Sequence, residues 1–122
     1  MKRWVSGPIL RLLEGKNSLK LQEIITDREL EIYLGGQLSV GIVPAFEDEL
    51  TAALLLFDKV TLDFQEVEAI TASGLESLLR LQHFSEERVD AVFLLKGVKP
   101  ELMRTFQEIG FDQIMDIRAL ES

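Results

Sequence analysis

Two kinds of hydrophobic pattern alternate along the chain. Short apolar runs, several of them alternating with polar positions, predict strands, and these cover residues 19–25, 30–34, 59–64, 89–95 and 114–117. Between later strands, apolar residues recur every three or four positions, as they do on one face of a helix. Helices are therefore predicted to begin near Pro44, Gly74 and Pro100, with the second running to Glu87 and the third ending at Gly110.

The order of these elements predicts the fold class. A short connection at residues 26–29 predicts an antiparallel hairpin of the first two strands, whereas a helix between each later pair of strands predicts parallel pairing. Gly35-Gly36 is expected to end the second strand, and Gly97 is expected to end the fourth. The sequence predicts a single α/β domain on a mixed β-sheet, with an N-terminal antiparallel hairpin and crossover helices.

The N-terminal residues 1–17 stand apart from this pattern. Gly7-Pro8 and Gly15-Lys16-Asn17 bound a short segment with apolar positions at helical spacing, and these are Ile9, Leu10, Leu12 and Leu13. We expect a short amphipathic helix here, which docks on the domain or on a partner. The predicted division is an N-terminal extension at 1–17 and the domain at 18–122.

Composition narrows the classes of function. With 47% apolar residues, the 122-residue chain is able to bury a sizeable core, and the absence of cysteine excludes disulfides, thiol catalysis and thiolate metal sites. The formal net charge is −8, and the 13 basic residues are scattered, which disfavours binding to nucleic acid or an anionic membrane. The longest apolar run, residues 52–57, is too short to span a bilayer. We expect a cytoplasmic protein that meets a protein partner.

Catalytic chemistry finds little support in the sequence. The single histidine, His83, lies in the second predicted helix without metal-ligand spacing around it, and the acidic runs 47–49 and 86–87 are typical of solvated helix faces. Asp63 ends a predicted strand, a place where either a functional group or a turn cap is common. No nucleophile–base pair, metal cluster or cofactor fingerprint is visible, so an enzyme is not expected.

Ser73 admits two interpretations. Ser73-Gly74-Leu75-Glu76 fits the capping box, in which the serine hydroxyl accepts from a first-turn N–H and the glutamate reaches back, a cap worth about 1 kcal/mol. Alternatively, a serine at a helix start after a strand is open to a modifying enzyme. A phosphate there adds about −1.5 to −2 charges, and a helix N-terminus tolerates an anion. Modification would then change the surface without unfolding the chain.

Four segments together resemble one known family. They are LGGQLS at 34–39, VTLDF at 60–64, ITASGL at 70–75, and LKGVKP at 95–100 followed by a helix and Gly110-Phe111. In this order they resemble the Gly-x-Leu-Asp turn, the central strand with its terminal Asp, the hallmark Asp-Ser-Ser-Gly-Leu segment and the closing part of the STAS domain. This is the fold of bacterial anti-sigma factor antagonists, and the resemblance covers about residues 19–117.

The resemblance implies a function and a site. Such domains bind an anti-sigma factor that is also a serine kinase, which phosphorylates the second serine of the hallmark segment, here Ser73. Thr71 and Ala72 replace the hallmark Asp and first Ser, and Ser39 replaces the Asp of the first motif. The partner-binding residues implied are Ser39, Asp63, Thr71, Ala72, Ser73, Gly74, Leu75 and Glu76. The alternative is a constitutive scaffold or binding subunit, such as a stressosome-like component or a subunit of a lipid-transport ATPase complex, in which Ser73 is only a helix cap.

Overall fold

A computed structural model describes residues 3–5, 20–26, 28–38 and 43–120. The strands are β1 (Arg3–Val5), β2 (Lys20–Thr26), β3 (Glu29–Leu38), β4 (Lys59–Ile70), β5 (Val92–Val98) and β6 (Asp116–Ala119). The helices are α1 (Val43–Leu56), α2 (Ala72–Ser85) and α3 (Pro100–Glu108), and a short 3-10 helix covers Phe111–Gln113. The prediction of an α/β domain on a mixed sheet is confirmed.

The described strands lie in the sheet in the order in which they occur along the chain. β1 and β3 both pair antiparallel with β2. The pairing of β2 with β3 runs from Lys20 opposite Gly35 to Thr26 opposite Glu29. The neighbouring strands from β3 to β6 are parallel. Each parallel pair is joined through a helix, as strands that run in the same direction require a crossover.

The hydrophobic core lies on one face of the sheet. Alternate residues of β3, β4 and β5 point to this face, and α1, α2 and α3 all contribute to the same buried cluster. Its largest fully buried side chains are Phe64, Phe106, Ile32, Leu50, Leu54, Leu62 and Leu78. Among the described residues, no helix is long and apolar enough to cross a membrane.

Several predicted strand ends are wrong, and tertiary pairing explains the differences. β3 continues through Gly35-Gly36 to Leu38, because β4 extends to Ile70 and pairs with it across two register shifts. β5 begins at Val92 rather than at residue 89, since residues 86–90 form turns. Gly97 lies inside β5 with φ +68°, and β6 begins at Asp116, after the 3-10 helix.

The N-terminal segment is described only in part. Arg3–Val5 forms β1, with Arg3 opposite Ile25 and Val5 opposite Glu23. The short helix predicted from Ile9, Leu10, Leu12 and Leu13 lies outside the described residues. The division of the chain at residue 17 stays a prediction.

Candidate functional site

Helix α2 begins directly after strand β4, and Thr71 is the one residue between them. Its backbone is extended, with φ −83° and ψ 166°, and its Oγ1 accepts a hydrogen bond from the Gly74 N–H at 3.1 Å. The Leu75 N–H donates to the Thr71 carbonyl oxygen at 3.0 Å. Thr71 is therefore the N-cap of α2.

The prediction that Ser73 caps the helix, with Glu76 reaching back to it, is wrong. β4 ends at Ile70 and α2 starts at Ala72, so Thr71 takes the cap position and Ser73 becomes the second residue of the helix. The third helical position is then Gly74, which has no side chain to complete a reciprocal capping box. Both Thr71 and Ser73 are suitable N-cap residue types, and the end of β4 decides between them.

The Ser73 hydroxyl is left without a structural task. Within the part of the chain that the structure describes, it has no hydrogen-bond partner, and the residue is half-buried. Ala72 and Glu76 beside it are exposed, while Gly74 is buried and Leu75 packs partly against the core. At the start of α2, the exposed residues Ala72 and Glu76 thus lie near a half-buried hydroxyl that makes no hydrogen bond to the described residues.

The structure brings together six of the predicted partner-binding residues. They are the consecutive residues Thr71, Ala72, Ser73, Gly74, Leu75 and Glu76, at the junction of β4 and α2. Ser39 lies outside the described residues. Asp63 lies in the middle of β4 and not at its end, which corrects the prediction that it ends a strand.

Asp63 has a clear structural role. Asp63 is only 5% exposed, and its Oδ1 accepts a hydrogen bond from the Gln65 N–H at 3.0 Å. The pairing of β4 with β5 ends where Asp63 lies opposite Lys96, and beyond this point β4 pairs with β3 alone. The carboxylate therefore satisfies a backbone donor of β4 just beyond its last pairing with β5.

A second polar contact joins α1 to α2, and local sequence patterns did not reveal it. Glu47 Oε1 accepts from the Ser77 hydroxyl at 2.7 Å and from Arg80 Nη2 at 2.8 Å, and Arg80 Nε donates to Glu47 Oε2 at 3.0 Å. The hydrogen bond from Arg80 lowers the pKa of Glu47 below its usual range. The interpretation of residues 47–49 as a solvated acidic run is therefore wrong for Glu47.

This contact fixes α2 one turn beyond Ser73. Ser77 is 1% exposed and lies four residues after Ser73, on the same side of the helix. Because Glu47 is 30 residues away from Ser77 along the chain, only the packing of the helices brings the two together. The helix that carries Ser73 is thus anchored to α1 by a charged hydrogen-bonded pair.

The opposite side of the sheet carries another polar cluster. Lys96 Nζ lies 2.6 Å from Glu31 Oε2 and 5.8 Å from the centre of the Tyr33 ring. A hydrogen bond with Glu31, together with partial burial, raises the pKa of Tyr33 to about 12.

His83 is exposed on α2, with its Nδ1 3.9 Å from Glu86. Among the described residues, no group of three or more His, Cys, Asp or Glu side chains is placed to hold a metal ion.

Comparison with known proteins identifies the family. A family model described as "Mlab, STAS domain" matches residues 21–119, which is most of the chain. The chain therefore belongs to the STAS domain family. No match is found among curated proteins.

Solved structures share the fold at low sequence identity. An anti-sigma factor antagonist from Mycobacterium paratuberculosis superposes with a TM-score of 0.69 at 18% identity, covering 93% of this chain and 90% of that one. A putative antagonist from Thermotoga maritima gives 0.71 at 17%, covering 79% and 83%. The Bacillus cell fate determinant SpoIIAA in its phosphorylated form gives 0.64 at 20%, covering 82% and 90%. At identities this low, the superpositions establish the shared fold alone.

Proposed function

We propose that this chain is a partner-switching protein of the anti-sigma factor antagonist type, which binds a regulatory protein and is controlled by phosphorylation of Ser73. Its partner would be an anti-sigma factor that is also a serine kinase, which implies a cytoplasmic location. The chain acts by binding, without catalysis or a cofactor. The observation that carries the proposal is the Ser73 hydroxyl: Thr71 is the cap of α2, and Ser73 has no hydrogen-bond partner among the described residues.

A phosphate on Ser73 is compatible with an intact helix. The first N–H groups of a helix lack intrahelical acceptors and carry partial positive charge, so an anion at the second helical position is stabilised there. The cap itself is supplied by Thr71, which modification leaves unchanged. Phosphorylation thus alters the surface and spares the fold.

The effect on a partner is electrostatic. A phosphate adds about −1.5 to −2 charges beside the exposed Glu76, on a chain whose formal net charge is already −8. A partner that covers the start of α2 would have to desolvate this dianion. Burial of a charge without a matching cation is unfavourable, so the partner is released.

A second candidate is a constitutive STAS subunit, such as a stressosome-like component or a subunit of a lipid-transport ATPase complex. Two observations favour it: Thr71 and Ala72 replace the hallmark Asp and first Ser, and the matching family model is described by the name Mlab. In this case Ser73 is an ordinary residue of the first turn of α2 and is never modified.

Copurification from native cells followed by affinity measurement separates the two candidates. Under the leading proposal the chain recovers a kinase-like anti-sigma factor. Ser73→Asp then weakens that complex at least about tenfold, a change of about 1.4 kcal/mol, while Ser73→Ala binds like the unmodified chain. Thr105→Asp is the matched control, because it adds the same charge at an exposed position of α3. Recovery of a transport ATPase, bound equally well by Ser73→Asp, would support the second candidate and contradict the first.

A further inference from the structure

The connections that lead from a helix back into the sheet carry exposed apolar side chains. β4, β5 and β6 are parallel and follow α1, α2 and α3 in turn, so all three strands begin at the same end of the sheet. We call this end the amino end. Six of the seven large apolar residues that are exposed in the described part of the chain lie there, namely Leu55, Leu56, Val89, Val92, Ile109 and Ile114. Apolar residues scattered singly are normal on a surface, whereas a cluster of them marks an interaction site.

The turn that carries Val89 is fixed to the end of α1. Arg88 Nη1 donates to the carbonyl oxygens of Leu54 at 2.6 Å and of Phe57 at 2.7 Å, on either side of the two exposed leucines. Val89 follows Arg88 directly and is 97% exposed. The apolar residues at the end of α1 and in the turn after α2 therefore belong to one preorganised surface. Such a surface loses little conformational entropy when a partner binds.

The rim of this cluster is acidic. Three exposed carboxylates there have no ion-pair partner among the described residues, and they belong to Glu87, Asp90 and Glu108. The arginines at this end, Arg28 and Arg88, are already paired with Asp58, and Lys59 is half-buried. The rim therefore favours a partner that carries positive charge.

We propose that the amino end is a second protein-binding surface, whose partner presents apolar side chains flanked by lysine or arginine. The apolar cluster forms the buried centre of the interface, and the carboxylates form its polar rim. A second copy of the chain fits poorly, because a symmetric interface places the acidic rim of one copy against that of the other.

Phosphorylation of Ser73 leaves the amino end unchanged. Ser73 lies near the start of α2 and Val89 lies beyond its end, and the helix between Ser73 and Ser85 extends about 18 Å. This is more than twice the Debye length of about 8 Å at physiological ionic strength. The chain is then able to hold one partner at the amino end while it exchanges another at the start of α2. Only this last point rests on the proposed function.

Photo-crosslinking in native cells identifies what binds the amino end. A benzophenone amino acid replaces Val89 in the full chain and, as a control, Leu120, the exposed apolar residue that lies after β6 at the other end. The cross-linked peptides are then sequenced by mass spectrometry. The proposal predicts that position 89, and not position 120, captures a segment of a different protein in which apolar residues are flanked by lysine or arginine. A peptide of this same chain, a segment without basic residues, or no captured peptide at position 89 would overturn it.

The captured segment, made as a synthetic peptide, is the probe for affinity. Val89→Asp and Glu87→Lys/Asp90→Lys should each weaken its binding at least about tenfold, because one removes an apolar anchor and the other reverses the rim charge. Leu120→Asp and Ser73→Asp should change the affinity less than about twofold, since both lie more than a Debye length away. Equal affinities of Val89→Asp and Leu120→Asp would overturn the proposal. A tenfold loss with Ser73→Asp would also overturn it, by placing the peptide on the switch surface.

Discussion

The N-cap of α2 offers the sharpest test of the local structure around Ser73. Thr71→Ala removes the hydrogen bond from the Gly74 N–H to Thr71 Oγ1, which is 3.1 Å long. Loss of an N-cap side chain lowers the free energy of unfolding by about 1 kcal/mol. Ser73→Ala removes no hydrogen bond among the described residues. Since alanine is the better helix former, Ser73→Ala should leave stability unchanged or raise it by at most about 0.5 kcal/mol.

Urea unfolding followed by circular dichroism measures both effects. With a urea dependence of about 1–3 kcal/mol per molar for a small protein, Thr71→Ala should lower the unfolding midpoint by roughly 0.3–1 M. Thr71→Ser retains the hydroxyl and should restore most of the loss. A lower midpoint for Ser73→Ala than for Thr71→Ala would refute the assignment of Thr71 as the cap and return Ser73 to that role.

Three further measurements test the energetics of the fold. Gly97→Ala should lower the free energy of unfolding by about 1–2 kcal/mol. The reason is that Gly97 has φ +68° and that an added Cβ would lie 3.0 Å from a buried carboxylate oxygen. An unchanged urea midpoint would contradict this prediction. Arg80 lowers the pKa of Glu47 in the folded state. The ionised Glu47 therefore stabilises the folded protein above pH 4.5, the ordinary pKa of the group, and this contribution is lost as the pH falls through the folded-state pKa. Glu47→Gln should therefore flatten the acid side of the stability profile, and Asp48→Asn, at an exposed position beside it, is the control for the removal of one charge. Tyr33 is the single tyrosine, and its tyrosinate absorbance should appear with a pKa of about 12. A titration midpoint near 10, the ordinary pKa of tyrosine, would contradict the hydrogen bond between Tyr33 and Glu31.

The order of strands and helices from β2 onwards could be predicted because it follows from periodicity, whereas the three-residue strand β1 was not predicted. Apolar residues that alternate in β4 and recur at helical spacing in α2 each point to one buried face, whatever the rest of the chain does. Pro100 and Gly110 also delimit α3 correctly, since a proline suits a first helical turn and a glycine with φ +77° suits the residue after a helix.

The details at the site could not be predicted, because long-range pairing decides them. Thr71 and Ser73 are both good caps, and the choice depends on how far β4 pairs with β3 beyond Asp63. The contact between Glu47 and Arg80 spans 33 residues, so no local pattern distinguishes Glu47 from a solvated carboxylate. The choice of the N-cap and the contact of Glu47 therefore depend on the register of the sheet and on the packing of the helices, which local sequence patterns do not show.

We propose that Ser73 is a regulated phosphorylation site. Phosphopeptide mass spectrometry on the protein isolated from its native cells, grown with and without stress, tests this proposal. We expect a phosphate on Ser73 whose occupancy changes with the growth condition. Ser73 found unmodified under every condition, in peptides that cover it fully, would contradict the switch and favour a constitutive binding subunit.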